Sequence, residues 1–286
     1  MNDTLLDISG KIEPHKAAVL AAVDRAARKL GISFFVVGGA ARDFILQNGY
    51  GIRTPRVTLD VDIGVSVSSW DEFKRLIETL LSVENFKKTE IEHRFKSPTP
   101  QETKVDILPF GTIEGIKRTI QWRQDNNEMN MSGFIEAYQA AVNVKISSNP
   151  SLVVKMAALA GLALLKLISW NDKPHERDRD AKDFKTIMYH YLEAHPKEYL
   201  YDVHLNIASD GDYDLISARV LGRDIKTITG PDMYPQIIEI LNRGSDQNGS
   251  LHFVQQMQTT SSFQQTTFLR DIEMLKAVFK GVTDIR

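Results

Sequence analysis

The chain has 286 residues, 42% of them hydrophobic, and a net charge of −2. It can bury a sizeable core and offers no global electrostatic pull toward nucleic acid or an anionic membrane. With no cysteine, disulfides, thiolate zinc sites and cysteine nucleophiles are excluded, leaving oxygen and nitrogen ligands for any metal. The opening residues MNDTLLDISGKIEPHK lack the basic-then-apolar order of a signal peptide, so a cytoplasmic protein is expected.

Taken in chain order, residues 13–30 show helical spacing and stop at Gly31. SFFVV reads as a short buried strand, Gly38 and Gly39 as a turn, and AARDFILQ as the helix that follows. NGYGIRTPR is a loop closed by Pro55. VTLDVDIGVSV, residues 57–67, alternates with period two and is rich in Val and Ile, which predicts a strand. Ser69 caps an amphipathic helix running to about Leu81. FKKTEIEHRF suggests a strand, Pro98 and Pro100 mark a loop, and KVDILPF is a strand from Lys104 to Phe110. Short strands follow near 116–122 and 141–147.

Beyond Pro150 the pattern turns helical, at about 152–170, 178–192, 212–228 and 266–280. The apolar stretch from Leu152 to Trp170 is interrupted by Lys155 and Lys166, so it reads as a buried core helix and not a membrane span. The Gln-rich segment 242–268 reads as a long loop. The expected fold is therefore α/β: a mixed β-sheet flanked by helices over residues 1–150, then a helical C-terminal domain over 151–286.

Asp60 and Asp62 are separated by one residue on a strand, so their carboxylates project from the same face. Two neighbouring carboxylates repel and are costly to desolvate, and a hard divalent cation such as Mg²⁺ or Mn²⁺ would relieve both problems. A lone D-x-D also occurs on strands that simply face water. Asp106 lies in a second strand with the same apolar frame, either as a third ligand or as an ordinary exposed residue. Three carboxylates on adjacent strands suit a two-metal phosphoryl-transfer site. The Gly38-Gly39 turn bares its backbone to an approaching phosphate, unless packing alone requires it. GGAARD is neither a dinucleotide fingerprint nor a P-loop. No histidine pattern has metal-ligand spacing, and the aromatic residues do not interleave with basic ones as a base-stacking platform would.

A glycine turn, a D-x-D strand and a third Asp strand, in that order, resemble the polymerase-β-like nucleotidyltransferase superfamily. Val37-Gly38-Gly39 matches its hG[GS] element and Asp60-Val61-Asp62-Ile63 its [DE]h[DE]h strand, with Asp106 as the third carboxylate. GGAARDFIL also resembles the GG-x-x-RD start of CCA-adding enzymes and poly(A) polymerases, bringing in Arg42 and Asp43, but their later RRDFT-like element is absent. RVTLDVDI is similar to the R-x-[ST]-x-D-x-D strand of AbiEii-type nucleotidyltransferase toxins and their uncharacterised bacterial relatives, with Arg56 and Thr58 leading. LALLKLISWNDKPHERDRDAKDF resembles their lysine helix followed by an RD-x-x-D helix.

The resemblance implies a metal-dependent enzyme that moves an NMP from an NTP to tRNA, a protein or a small molecule, in a toxin-antitoxin or phage-defence setting with a cognate antitoxin. It implies that Asp60, Asp62 and Asp106 bind metal. Gly38, Gly39, Arg42, Arg56 and Thr58 would meet the nucleotide. Lys166 would contact the triphosphate, and Asp180 or Asp183 would orient the acceptor, with substrate in a cleft between the domains. Lys155 is read as snorkelling to the helix rim. The rival from another class is a nucleotide-binding regulator, or antitoxin-like module, that keeps the fold without turnover. A D-x-D glycosyltransferase would leave the preceding strand-GG-helix unit unexplained.

Overall fold

The computed structural model describes residues 5–56, 58–124, 126–207, 211–245, 251–258 and 265–284. They form two compact units, Met1–Ala158 and Leu159–Arg286.

The first unit is built on a mixed sheet. Its strands are β1 (Leu6–Asp7), β2 (Ser33–Val37), β3 (Val61–Ser66), β4 (Lys87–Lys88), β5 (Arg94–Lys96), β6 (Lys104–Phe110), β9 (Val142–Ser148) and β10 (Ser151–Met156). The spatial order is β1-β9-β10-β2-β3-β6-β5-β4, while β7 (Thr119–Gln121) and β8 (Glu128–Asn130) pair separately. The helices of this unit are α1 (Pro14–Leu30), α2 (Gly38–Asp43), α3 (Trp70–Ser82) and α4 (Phe134–Gln139), and α2 runs on into a π-helical segment, Phe44–Gly49.

Local chemistry fixes several of these boundaries. Pro14 starts α1, where its missing N–H costs nothing, and Gly31 ends it in the left-handed region at φ 69°. Ser69 Oγ accepts the Glu72 N–H at 3.2 Å, and the Glu72 carboxylate accepts the Ser68 N–H at 2.7 Å, closing the start of α3 reciprocally. Phe73, Leu76 and Leu80 then form its buried face. In the interior of the unit Phe35 lies edge-on to Phe110, Phe134 and Tyr138 at centroid separations of 5.2, 6.3 and 5.4 Å.

The second unit is helical: α5 (Leu159–Asp172), α6 (Asp178–His190), α7 (Glu198–His204), α8 (Tyr213–Ile228), α9 (Tyr234–Ser245), α10 (His252–Gln256) and α11 (Gln265–Thr283). The packing of α8 on α11 is close enough to need glycine on both sides. A Cβ on Gly222 would lie 2.9 Å from the Val278 carbonyl carbon, and one on Gly281 at the same distance from that of Arg219. Arg219 and Arg223 both bind the Asp284 carboxylate, tying the end of α11 back to α8.

Three expectations need correction. Residues 151–156 are a strand, not the start of a helix, because Val153 and Val154 are β-branched and the segment pairs with both β9 and β2. The division between units accordingly falls after Ala158 and not at 150. Part of the polar segment 242–268 is helical, since Phe253 and Val254 of α10 are buried; its residues 246–250 and 259–264 lie outside the described residues. No helix among the described residues is long and apolar enough to cross a membrane.

Candidate functional site

The sheet register brings two of the three expected acidic residues of the first unit, Asp62 and Asp106, to one level. Val37 on β2 pairs with Asp62 on β3, Asp62 pairs with Asp106 on β6, and Asp106 pairs with Arg94 on β5. These four residues form a single rung across four neighbouring strands. Asp60 stands one residue before β3, outside the ladder.

The glycine turn sits directly over this rung. Val37 is extended, and Gly38 reverses to φ +68° as α2 begins. A side chain there would be strained by the backbone alone. It would also collide with Asp62: a Cβ on Gly38 would lie 2.8 Å from Asp62 Cγ and closer still to its Oδ2. The first glycine thus keeps the turn off the Asp62 carboxylate. The second faces Thr58, whose Oγ1 would meet a Cβ on Gly39 at 2.5 Å.

Arg94 is the residue that sequence reasoning missed. Its Nε and Nη2 donate to Asp106 Oδ1 and Oδ2, both at 2.7 Å, the bidentate geometry that a guanidinium gives a carboxylate. Its Nη2 also lies 3.9 Å from Asp60 Oδ2. The hydrogen bonds to Asp106 hold the guanidinium pKa above its ordinary value against the opposite pull of burial, and the charges of Asp106, Asp60 and Asp62 add to the effect. Only strand register could have revealed this residue, since nothing in EHRFKS marks Arg94 as facing Asp106.

The arrangement therefore differs from three converging carboxylates. Among the described residues no group of three His, Asp or Glu side chains is disposed to hold a metal ion, and Asp106 is engaged by Arg94. Asp60 and Asp62 remain suited to a hard divalent cation. Both offer carboxylate oxygens, Asp60 is more than a third exposed, and the Asp62 carboxylate lies against the bare Cα of Gly38.

The other residues expected to meet the nucleotide have mostly structural surroundings. The Arg42 side chain is 1% exposed; it donates to Asp43 Oδ1 from Nε and Nη2 and to the Arg56 carbonyl. The other Asp43 oxygen accepts the Thr58 N–H at 3.0 Å. This Arg-Asp pair fastens α2 to the segment leading into Asp60, a positioning role for Arg42, Asp43 and the Arg56 backbone. The Thr58 hydroxyl is buried with no hydrogen-bond partner, the one polar side-chain atom in this segment so placed among the described residues.

In the second unit Lys166, on α5, reaches two carboxylates on α6: Asp180 Oδ1 at 2.7 Å and Asp183 Oδ2 at 2.9 Å. The Ser169 hydroxyl donates to the other Asp180 oxygen at 2.9 Å. Burial pulls the Lys166 ammonium down, but the two carboxylates outweigh it and hold its pKa above 10.5. Asp180 and Asp183, left as alternatives by the sequence, thus share one lysine. Lys155 does not snorkel from a helix rim. It lies on β10, with its ammonium 4.5 Å from the centre of the Tyr138 ring.

No family model matches the chain, and no curated protein matches it in sequence. Solved structures similar to it are nucleotidyltransferases. An antigenic nucleotidyltransferase-like protein from Paracoccidioides brasiliensis overlaps 69% of this chain and 93% of its own, at 16% identity and a TM-score of 0.39. The antibiotic-resistance factor ANT(2'')-Ia overlaps 61% and 83%, at 13% identity and 0.35. The Thermotoga maritima CCA-adding enzyme, solved in complex with tRNA, overlaps 96% and 80%, at 12% identity and 0.32.

Proposed function

We propose that the chain is a metal-dependent nucleotidyltransferase that moves an NMP from an NTP to a hydroxyl of an acceptor, which is tRNA, a protein or a small molecule. The observation that carries this reading is the rung itself, with Asp62 level with Asp106 and its carboxylate packed against Gly38, where no side chain would fit. A strand that only shows carboxylates to water has no need of a positive-φ glycine held against one of them.

In this reading Asp60 and Asp62 hold Mg²⁺ or Mn²⁺, which would neutralise charge on the triphosphate and on the departing pyrophosphate. The Gly38-Gly39 turn would meet the phosphates with its backbone N–H groups. Asp106 accepts the proton of the attacking hydroxyl. The acceptor oxygen forms a bond to the α-phosphorus, the α–β phosphoanhydride bond breaks, and pyrophosphate leaves with the electron pair. Lys166, Asp180 and Asp183 enter as the charged brace between α5 and α6. The AbiEii-type motifs RVTLDVDI and RD-x-x-D favour a toxin or phage-defence role with a cognate antitoxin.

One observation favours a second reading, a nucleotide-binding regulator without turnover: Arg94 already neutralises Asp106. Incubation of the purified chain with each of the four α-labelled NTPs, Mg²⁺, and either total RNA or the protein alone separates the two. Label on RNA or protein, lost in Asp60→Ala and Asp62→Ala, establishes transfer. Metal-dependent NTP binding without label establishes the regulator, and absence of NTP binding removes both.

A further inference from the structure

We propose that Lys87, Lys96 and Lys104 form a phosphate track beside the carboxylate rung, and that the acceptor is an RNA strand held there by its backbone. The inference rests on the nucleotidyltransferase reading for the reaction and selects one acceptor class from the three.

Strand register aligns the three residues. Lys87 on β4 pairs with Lys96 on β5, and Lys96 pairs with Lys104 on β6. Opposed residues of a ladder share a face, so the lysines stand in one row across three strands. Phe95 and Val105, the pair between this row and the next rung, are buried in the core. Alternation along the strands therefore turns the lysines outward, on the face that carries Arg94 and Asp106. The row lies two residues, about 7 Å, from the rung of Asp62, Asp106 and Arg94. Lys104 precedes Asp106 by two residues, as Asp60 precedes Asp62, so the inner end of the row reaches the carboxylates.

The fold does not call for such a row. Like charges directly opposite one another on neighbouring strands destabilise a sheet. Lysines do guard exposed sheet edges against pairing with another chain, and this accounts for Lys87 and Lys88 on β4. It does not account for Lys104, because β6 has β3 on one side and β5 on the other. Nor are the charges matched. Glu102 accepts from Lys87 and from Lys96, each at 2.9 Å, while the exposed Lys104 side chain makes no hydrogen bond or ion pair among the described residues. Three cations facing one carboxylate leave a local positive strip on a chain whose net charge is −2.

A line of ammonium groups complements a line of phosphates and reads no sequence. A nucleic acid supplies that regular line of charge and, at its end, the hydroxyl that the reaction requires; the terminal sugar of RNA carries two. A strand lying along the row brings its end to Asp106.

The test is binding of a short single-stranded RNA of mixed sequence to the full chain, followed by fluorescence anisotropy over a salt series without NTP. Each phosphate contact with a single strand adds about 0.7 to the slope of log affinity against log salt. Lys104→Gln should lower that slope by about 0.7, and the combination of Lys87→Gln, Lys96→Gln and Lys104→Gln by about 2. Glu102→Gln removes the competing anion and should tighten binding, a direction that damage to the fold would not produce. Lys74→Gln, on α3 beside Glu78, should bind like wild type. A slope in the triple variant equal to that of wild type overturns the proposal, as does a chain that binds no RNA or binds polyglutamate equally well.

If the triple variant fails to fold, Lys104→Gln and Glu102→Gln decide: affinities and slopes unchanged in both overturn the track. RNA binding that follows the lysines, without label transfer from any NTP, would leave this inference standing and remove the enzymatic reading. Label transferred to protein, or to RNA at an unaltered rate in the triple variant, would keep the enzyme and remove the track.

Discussion

Replacing Gly38 with alanine strikes the glycine turn in two ways. The backbone stays at φ +68°, where an L-residue is disfavoured by about 1–2 kcal/mol. The new methyl carbon would also fall 2.8 Å from Asp62 Cγ, against the 3.4 Å at which ordinary van der Waals contact begins, and closer still to Oδ2. The carboxylate must retreat by a good fraction of an ångström, and displacements near 1 Å at a reacting centre cost about 100-fold in rate. Gly38→Ala should therefore lose about 1–2 kcal/mol in urea unfolding, and label transfer should fall about 100-fold. Gly39→Ala supplies the control. Gly39 does not have a positive φ, and its methyl group would meet Thr58 Oγ1; adding Thr58→Ala should restore much of its stability, while the same change should do nothing for Gly38→Ala. Transfer within a few-fold of wild type in Gly38→Ala, with an unchanged urea midpoint, would refute the role assigned to the turn.

Other outcomes follow from the same contacts. Lys166→Met removes the ammonium that two carboxylates, 9% and 1% exposed, share, and should cost about 3–5 kcal/mol in denaturant unfolding; adding Asp183→Asn should recover part of this, and an unchanged midpoint in Lys166→Met would show that the triad contributes nothing. The sign with pH is also fixed. Lys166 has its folded pKa raised above 10.5, so its charge stabilises fully below that pH and the benefit fades as pH rises through the folded value. The lysine's share of the stability gap between wild type and Lys166→Met should therefore narrow only in strongly alkaline buffer. Gly222→Ala or Gly281→Ala should lower the thermal midpoint by overpacking α8 against α11, at about 1–3 kcal/mol or more. A midpoint equal to wild type would mean the helices can part without cost.

Much of the first unit was legible because its strands carry their own signals. SFFVV and KVDILPF are the observed β2 and β6, bounded by Gly38 on one side and by the Pro98–Thr103 turn on the other. The helix capped by Ser69 was legible from one hydroxyl and one amphipathic face. Residues 151–156 were not, because apolar LVVKM runs into AALAGLALL without a glycine or proline to mark the change from strand to helix. Nor was α10: its Gln-rich sequence suggests a loop, and its helix depends on Phe253 packing against Trp170 and Phe184. In the site, Asp60, Asp62, Asp106 and the two glycines could be picked out by spacing. Arg94 could not, because its meeting with Asp106 is decided by how two strands align across a seven-residue connection.

That alignment also limits how the sequence can change over time. Asp62 and Asp106 are far apart in the chain yet share a rung, and each strand presents alternate residues to opposite faces. Loss of one residue within β6 would bring Val105 or Ile107, both wholly buried, to the place of Asp106, turning the carboxylate into the core and an apolar side chain outward. Length can thus be gained or lost around Pro98 and Pro100 without disturbing the chemistry. Inside β3 and β6, substitutions can be tolerated one at a time, but a change in length cannot.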